Sequence, residues 1–392
     1  MDWVNLETLW FALVAVLFIG YFVLEGFDFG VGILTKVLAD DGTDRRVMIN
    51  TIGPVWDGNE VWVITAGGAM FAAFPLWYAT VFSSFYLPLF LILIALIVRG
   101  VAFEFRHQRT DERWTWWWDQ AIFYGSLLPA LLWGVAFANF VRGIPIEADG
   151  LFVGNLLDLL NPYALLGGLG TLLLFTLHGA VYLALKTEDG GRVQRKAERL
   201  AVPLGVVTAL GVIAFLVWTY FNAQAAGDTG VVPGIVPVAA MGAAVAVPIL
   251  VREKLAGWAF VATTAAIVLV TLTLFLNLYP RLLVSSIDPA FDLTISNAKA
   301  SDLTLTIMSW ATLLFLPIVL AYQSWTYWVF RHRISRESVQ APSETPMEVL
   351  DRRLARSRAG TGSGLRSGSG TVDADADDAD DAHDAEGSDE PT

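Results

Sequence analysis

Apolar runs of about 20 residues, each long enough to cross a hydrocarbon core of about 30 Å, recur along this 392-residue chain and constrain its fold more than any motif does. In hydrocarbon, backbone N–H and C=O groups must pair within their own segment, so each crossing is expected to be helical. A hydrophobic content of 55% agrees with that reading. Nine spans are predicted: Leu9–Leu34, Thr51–Phe74, Trp77–Val101, Trp116–Phe140, Pro162–Leu185, Leu200–Phe221, Gly234–Val251, Gly257–Leu282 and Leu303–Phe330. The second is the least hydrophobic and would escape a strict threshold. Asn161-Pro162 and Tyr279-Pro280 mark helix ends. The first run, from Leu9, lacks a basic leader and continues too far for a cleavable signal. The expected class is an all-α polytopic membrane protein.

Charge orients the chain. Lys36, Arg45 and Arg46 lie between spans one and two, and Arg106, Arg109 and Arg113 between three and four. Lys186, Arg192, Arg195, Lys196 and Arg199 join five to six; Arg252 and Lys254 join seven to eight. Arg331, Arg333 and Arg336 follow the last span, whereas the opposite side offers only Arg142, Arg281 and Lys299. Basic loops stay inside, so the N-terminus is predicted outside and the C-terminus in the cytoplasm of a prokaryotic cell membrane. The net charge of −13 is concentrated at the end of the chain. From Ala341 onward 13 acidic residues face five arginines. This Gly/Ser/Asp/Ala-rich stretch has no apolar periodicity and is expected to be disordered. Two segments follow: a membrane-embedded part, 1–336, and an acidic cytoplasmic tail, 341–392.

With no cysteine, thiolate metal sites, iron–sulfur clusters and disulfides are excluded. Of four histidines only His178 falls in a span, and an interhelical hydrogen bond is the plainer reading than ligation. A bis-ligated haem would need a second His or Met at matching depth, and the first helix has none between Met1 and Met48. The chain is therefore expected to hold no haem iron. "RWTWWWDQ" at 113–120 reads as an interfacial aromatic belt. Phosphate-binding glycine loops, nucleophile elbows and metalloprotease patterns are not found in the sequence.

Carboxylates inside spans remain to be explained. In "YFVLEGFDFGVGIL", Glu25 and Asp28 are three residues apart and share a face with Tyr21 and Gly32. In "GPVWDGNEVWV", one continuous helix would place Asn50, Gly53, Asp57, Glu60 and Gly68 in a single stripe, with Asn59 pointing elsewhere. Such a stripe turns toward protein or water rather than lipid. Neighbouring glycines let another backbone approach, and Pro54 is expected to bend the start of the helix. Asp57 lies about 9 Å from the cytoplasmic end at 1.5 Å per residue, and Glu25 also falls in the cytoplasmic half. Two readings stay open: a proton or water pathway through Glu25 and Asp57, or a static network in which the acids pair with Arg99. Arg99 either pairs with an acid or snorkels to the interface.

These residues carry a resemblance. "GFDFGVG" at 26–32, "RRVMINTIGPVWDGNEVWVITAGGAMFAAFP" at 45–75, "LNPYALLGG" at 160–168, "WAFV" at 258–261 and "LTLTIMSW" at 303–310 resemble subunit II of cytochrome bd quinol oxidase. The resemblance runs in order over about 5–336 and excludes the tail. It implies nine helices arranged as two four-helix bundles plus a peripheral helix. It further implies a heterodimer with a subunit I that carries low-spin haem b, high-spin haem b and haem d, in a complex that oxidises quinol and reduces dioxygen to water. Asp57 and Glu25 then correspond to a cytoplasmic proton channel, supported by Asp28, Glu60 and Arg99. Glu25 stands where some relatives have Asp, and Glu60 where Gln can occur. A structural quinone and a small single-helix accessory subunit are compatible with the family, though no residue pattern here specifies them. The short connection Asn222–Pro237 leaves no space for a quinol-oxidising domain. A secondary transporter with carboxylate-coupled transport and a purely structural scaffold subunit are the rival functions.

Overall fold

The computed structural model describes residues 5–109, 111–225 and 234–340. The acidic tail, and residues 226–233 of the connection between the sixth and seventh spans, lie outside the described residues. The helices are α1 (Leu6–Leu38), α2 (Gly42–Ile52), α3 (Trp56–Ala73), α4 (Pro75–Ser84), α5 (Tyr86–Phe105), α6 (Glu112–Arg142) and α7 (Leu156–Leu159). They continue as α8 (Pro162–Lys186), α9 (Arg192–Ala225), α10 (Ile235–Arg252) and α11 (Ala256–Leu278). A two-stranded antiparallel sheet, β1 (Arg281–Leu283) with β2 (Leu293–Thr294), precedes α12 (Asp302–Val329) and α13 (Arg336–Gln340).

Among the described residues eight helices are long and apolar enough to cross a membrane. The remaining expected span is α3, whose 18 residues include Asp57 and Glu60. Local chemistry sets the boundaries. The side chains of Asn5, Asp111, Asn161 and Ser301 each accept a backbone N–H three residues on, capping α1, α6, α8 and α12. Pro162 occupies the first turn of α8, where no donor is needed.

Two expected spans are broken rather than continuous. Between α2 and α3, Gly53, Pro54 and Val55 form a turn in which Val55 N–H donates to Ile52 O (2.9 Å). Pro54 lacks the donor that would carry the helix on. The third span divides at Phe85 into α4 and α5. Pro88 explains that division: it cannot bond Ser84 O, and its ring crowds that carbonyl.

Helix α1 packs on α3, α6, α8 and α11, while α8, α9, α10 and α11 pack in turn on one another. The two sets of packed helices are joined along α1–α8 and α6–α8. Glycines permit the closest approaches. A Cβ on Gly30 would lie 2.0 Å from Phe175 O and 2.8 Å from Gly179 Cα, so α1 and α8 touch backbone to backbone there. Phe18, Phe22, Trp133, Phe137 and Phe275 fill the adjoining core with edge-on and tilted ring contacts.

Helix α12 lies at the periphery, with only Leu305 and Ser309 buried. Trp10 Nε1 donates to Leu305 O (3.2 Å) and Ser309 Oγ (3.1 Å). Residues 331–340 then strap back across the basic loops. Ile334 N–H donates to Lys186 O (2.9 Å), Glu188 N–H donates to Ile334 O (3.0 Å), and Arg336 binds Asp41 (3.0 Å) and the buried Asp44.

Candidate functional site: a buried ion-pair cluster

Three helices meet at the acids. Helix α1 supplies Glu25 and Asp28, α3 supplies Asn59 and Glu60, and α5 supplies Arg99. Glu25, Asp28, Asn59 and Arg99 are fully buried. Arg99 Nη2 donates to Glu25 Oε1 and to Glu60 Oε2, the latter at 3.2 Å, and its guanidinium lies 4.7 Å from the Phe29 ring. Arg99 therefore pairs with acids on two helices rather than reaching for the interface. An isolated charge at this depth would cost several kcal/mol, so each pair partner fixes where the other must be.

Asp28 is held differently. Its Oδ2 accepts Asn59 Nδ2 at 2.7 Å, and Asn59 Oδ1 in turn accepts Tyr327 OH (2.8 Å) and Gln323 Nε2 (3.3 Å) from α12. Asn59 thus links α1, α3 and α12. Its predicted direction, away from the acids, is incorrect. Because the turn at 53–55 interrupts the helix, Asn50 and Gly53 do not share a helical face with Asp57. The face of α3 that is buried is Asn59, Ala66, Ala69, Met70 and Ala73. Gln323 and Tyr327 were not visible as site residues, since no spacing ties α12 to α3.

Asp57 faces out of the chain. It is exposed in the first turn of α3, where the helix N-terminus favours a carboxylate. No side-chain hydrogen bond or ion pair holds it among the described residues, although its charge acts on Glu60 one turn on. The structure does not bring Asp57 into contact with Glu25; Glu60 and Arg99 stand between them. Gly58 and Gly68 border the same outward face, and an added Cβ would meet nothing within 4 Å at either. Close approach by a backbone of this chain occurs at Gly30 of α1 and at Gly134 of α6, not at these.

Five buried polar atoms of the cluster have no hydrogen-bond partner among the described residues: Tyr21 OH, Glu25 Oε2, Asp28 Oδ1, Arg99 Nε and Arg99 Nη1. Such groups need a bridging polar partner. His178, by contrast, is occupied at both ring nitrogens. Nδ1 lies 2.7 Å from Thr263 Oγ1 and Nε2 3.2 Å from Val23 O, with Phe260 stacked on the ring. Neither nitrogen is free to bind iron, so the one intramembrane histidine does not fit a haem ligand.

Fold and site together define a multi-pass helical membrane protein built around an intramembrane charge cluster. The family "Cytochrome bd terminal oxidase subunit II" matches residues 6–330. Cytochrome bd ubiquinol oxidase subunit 2 of Bacillus subtilis is 42% identical over 333 residues, covering 85% of this chain and 98% of that protein. Cytochrome bd-I ubiquinol oxidase subunit 2 of Escherichia coli is 36% identical over 373 residues, covering 87% and 98%. In fold, the chain is similar to a chain of the bd oxidase from Geobacillus thermodenitrificans, with a TM-score of 0.66, 17% identity, and coverage of 83% and 99%. The chain belongs to the cytochrome bd terminal oxidase subunit II family, whose members are subunits of an oxidoreductase complex.

Proposed function

We propose that this chain is the haem-free subunit II of a cytochrome bd-type quinol oxidase. It supports a subunit I that bears low-spin haem b, high-spin haem b and haem d, and it supplies part of a cytoplasmic proton pathway for dioxygen reduction. The observation that carries the pathway is the set of buried polar atoms on Tyr21, Glu25, Asp28 and Arg99 that have no hydrogen-bond partner among the described residues, reached from outward-facing Asp57 through Glu60. Carboxylates one turn apart can pass a proton along bridging water, and Arg99 holds Glu25 and Glu60 within reach of one shared cation. The exposed glycine-bordered face of α3 beside Asp57 suits close approach by subunit I.

Orientation follows from charge. The basic loops converge on one face, where Lys196 Nζ donates to Leu38 O (3.0 Å), Arg192 pairs with Asp40 (3.4 Å) and Arg336 with Asp41. Placing that face in the cytoplasm leaves the N-terminus outside. A transporter would be favoured by the helix break at 53–55, but Arg99 already closes the acid cluster that a coupling ion would need. Replacement of Asp57 by Asn in the intact, haem-loaded complex is expected to lower proton uptake and oxygen consumption together, on the order of 10²-fold. Unchanged rates of both would leave the chain a scaffold.

A further inference from the structure

Helix α9 begins and α10 ends on the same membrane face, and there the two enclose a cleft of about 250 Å³. Arg195, Glu198, Arg199, Val202, Arg252 and Lys254 line it. Its one acid is already committed, because Glu198 pairs with Lys254 Nζ at 2.5 Å. Arg195 donates to Gly190 O. Arg199 and Arg252 are exposed and make no side-chain ion pair among the described residues. The cleft is concave, strongly positive and short of counter-charge.

Its rim is built deliberately. Leu255 N–H bonds Leu250 O and Lys254 N–H bonds Val251 O, the pair of bonds that ends a helix on a left-handed residue. Glycine usually occupies that position; here it is Lys254, at φ 61°, the one non-glycine residue with positive φ among the described residues. A Cβ is disfavoured in that conformation, and the side chain puts an ammonium at the mouth of the cleft and at the negative end of α10.

The surface below the cleft is apolar and equally ordered. On α9, Arg195, Arg199, Val202, Val206 and Leu210 recur at helical spacing, with Val206 and Leu210 exposed. On α10, Arg252, Ile249 and Val245 do the same, with both aliphatics exposed. The helices meet at Gly205, where an added Cβ would lie 3.2 Å from Pro248 Cδ. Val206 sits about 10 Å deeper than Arg199 at 1.5 Å per residue, at acyl-chain depth. A free phosphate would use only the cations; a phospholipid uses both layers.

We propose that this cleft seats the phosphate of an anionic phospholipid, with its acyl chains lying along the exposed aliphatic stripes of α9 and α10. The test is native mass spectrometry of the full chain, extracted with its accompanying subunits, titrated with phosphatidylglycerol, phosphatidylcholine or inorganic phosphate. Phosphatidylglycerol is expected to be retained well above phosphatidylcholine and to resist displacement by millimolar inorganic phosphate. The double variant Arg199→Gln/Arg252→Gln is expected to lose about thirtyfold in retention, at about fivefold per arginine, and Arg199→Lys/Arg252→Lys to recover most of it. Equal retention by the double variant overturns the site, and displacement by inorganic phosphate overturns the lipid. Should the double variant fail to assemble, a photoactivatable phosphatidylglycerol on the unaltered chain decides: cross-links within 195–210 or 245–254 support the seat, and their absence there overturns it.

Discussion

Helices α1 and α12 are equally apolar, yet half of the most apolar stretch of α1 is buried inside the chain against 11% for α12. Apolarity therefore does not decide which membrane helix becomes core. Lipid tails solvate a Leu side chain as well as protein does, so close backbone approach and polar contacts decide instead. Helix α1 has Gly26, Gly30 and Gly32 against Phe175, Gly179 and Ser126, and it carries Glu25 and Asp28 into the cluster. Helix α12 has no glycine among its 28 residues and is held by side-chain pegs: Trp10 on Ser309, and Asn59 on Gln323 and Tyr327. One helix is sealed by shape and charge; the other is tethered at a few points beside an open face.

The sharpest way to break that contrast is to unbalance the seal. Arg99→Leu leaves Glu25 buried without its counter-charge, which is expected to destabilise the chain by about 3–5 kcal/mol. Thermal unfolding of the purified complex would show it as a marked fall in midpoint. Adding Glu25→Gln to the same chain removes the stranded charge and should recover most of the loss. If the single variant unfolds like the unaltered chain, charge does not seal α1.

Shape comes next. In Gly30→Ala the new methyl meets the backbone of α8 at Phe175 O and Gly179, neither of which can rotate away. Overpacking of this kind costs about 1–3 kcal/mol, and the midpoint should fall accordingly. The matching probe on α12 is Leu314→Ala, at a side chain 62% exposed. It touches little of this chain, so it is expected to leave the chain's own unfolding unchanged and to act only on co-purification of a subunit that covers that face. Equal effects at both positions would erase the distinction between core and tethered helix.

What the sequence reveals follows the same division. Features set by one segment are legible: apolar length predicts the spans, Asn161-Pro162 starts α8, and the spacing of Glu25 and Asp28 puts them on one face. Arg99 has acids as neighbours because few other partners exist at its depth. Features set by interruptions are harder to read. Pro54 announces a bend, but only the resulting turn shows that α3 restarts at Trp56, which sends Asn59 inward and Asp57 outward. The division at Phe85 is written in Pro88, three residues into the helix it begins. Contacts of α12 with Asn59, and of residues 331–340 with α2, join positions nearly 300 apart in the chain, and no local pattern encodes them.

The smallest effect should come from that strap, the tether's last point. Hydrogen bonds from Arg336 and from the backbone of Asp44 lower the Asp41 carboxyl to about 2. A depressed acid stabilises the folded arrangement while ionised, so its contribution is complete above about pH 4, the ordinary carboxylate range, and fades as pH falls toward 2. The pair is solvent-accessible, so salt should weaken it as well. The backbone bonds Glu188 N–H to Ile334 O and Ile334 N–H to Lys186 O report the docked strap. Their amide exchange, divided by the intrinsic pH dependence, should quicken between pH 4 and 3, and in Arg336→Gln it should already be fast at neutral pH. Exchange that stays slow in both cases would mean that Lys186, whose Nζ also donates to Phe330 O and His332 O, holds the strap without the Arg336 ion pairs. The end of α12 would then be closer in kind to the sealed helix than to a tethered one.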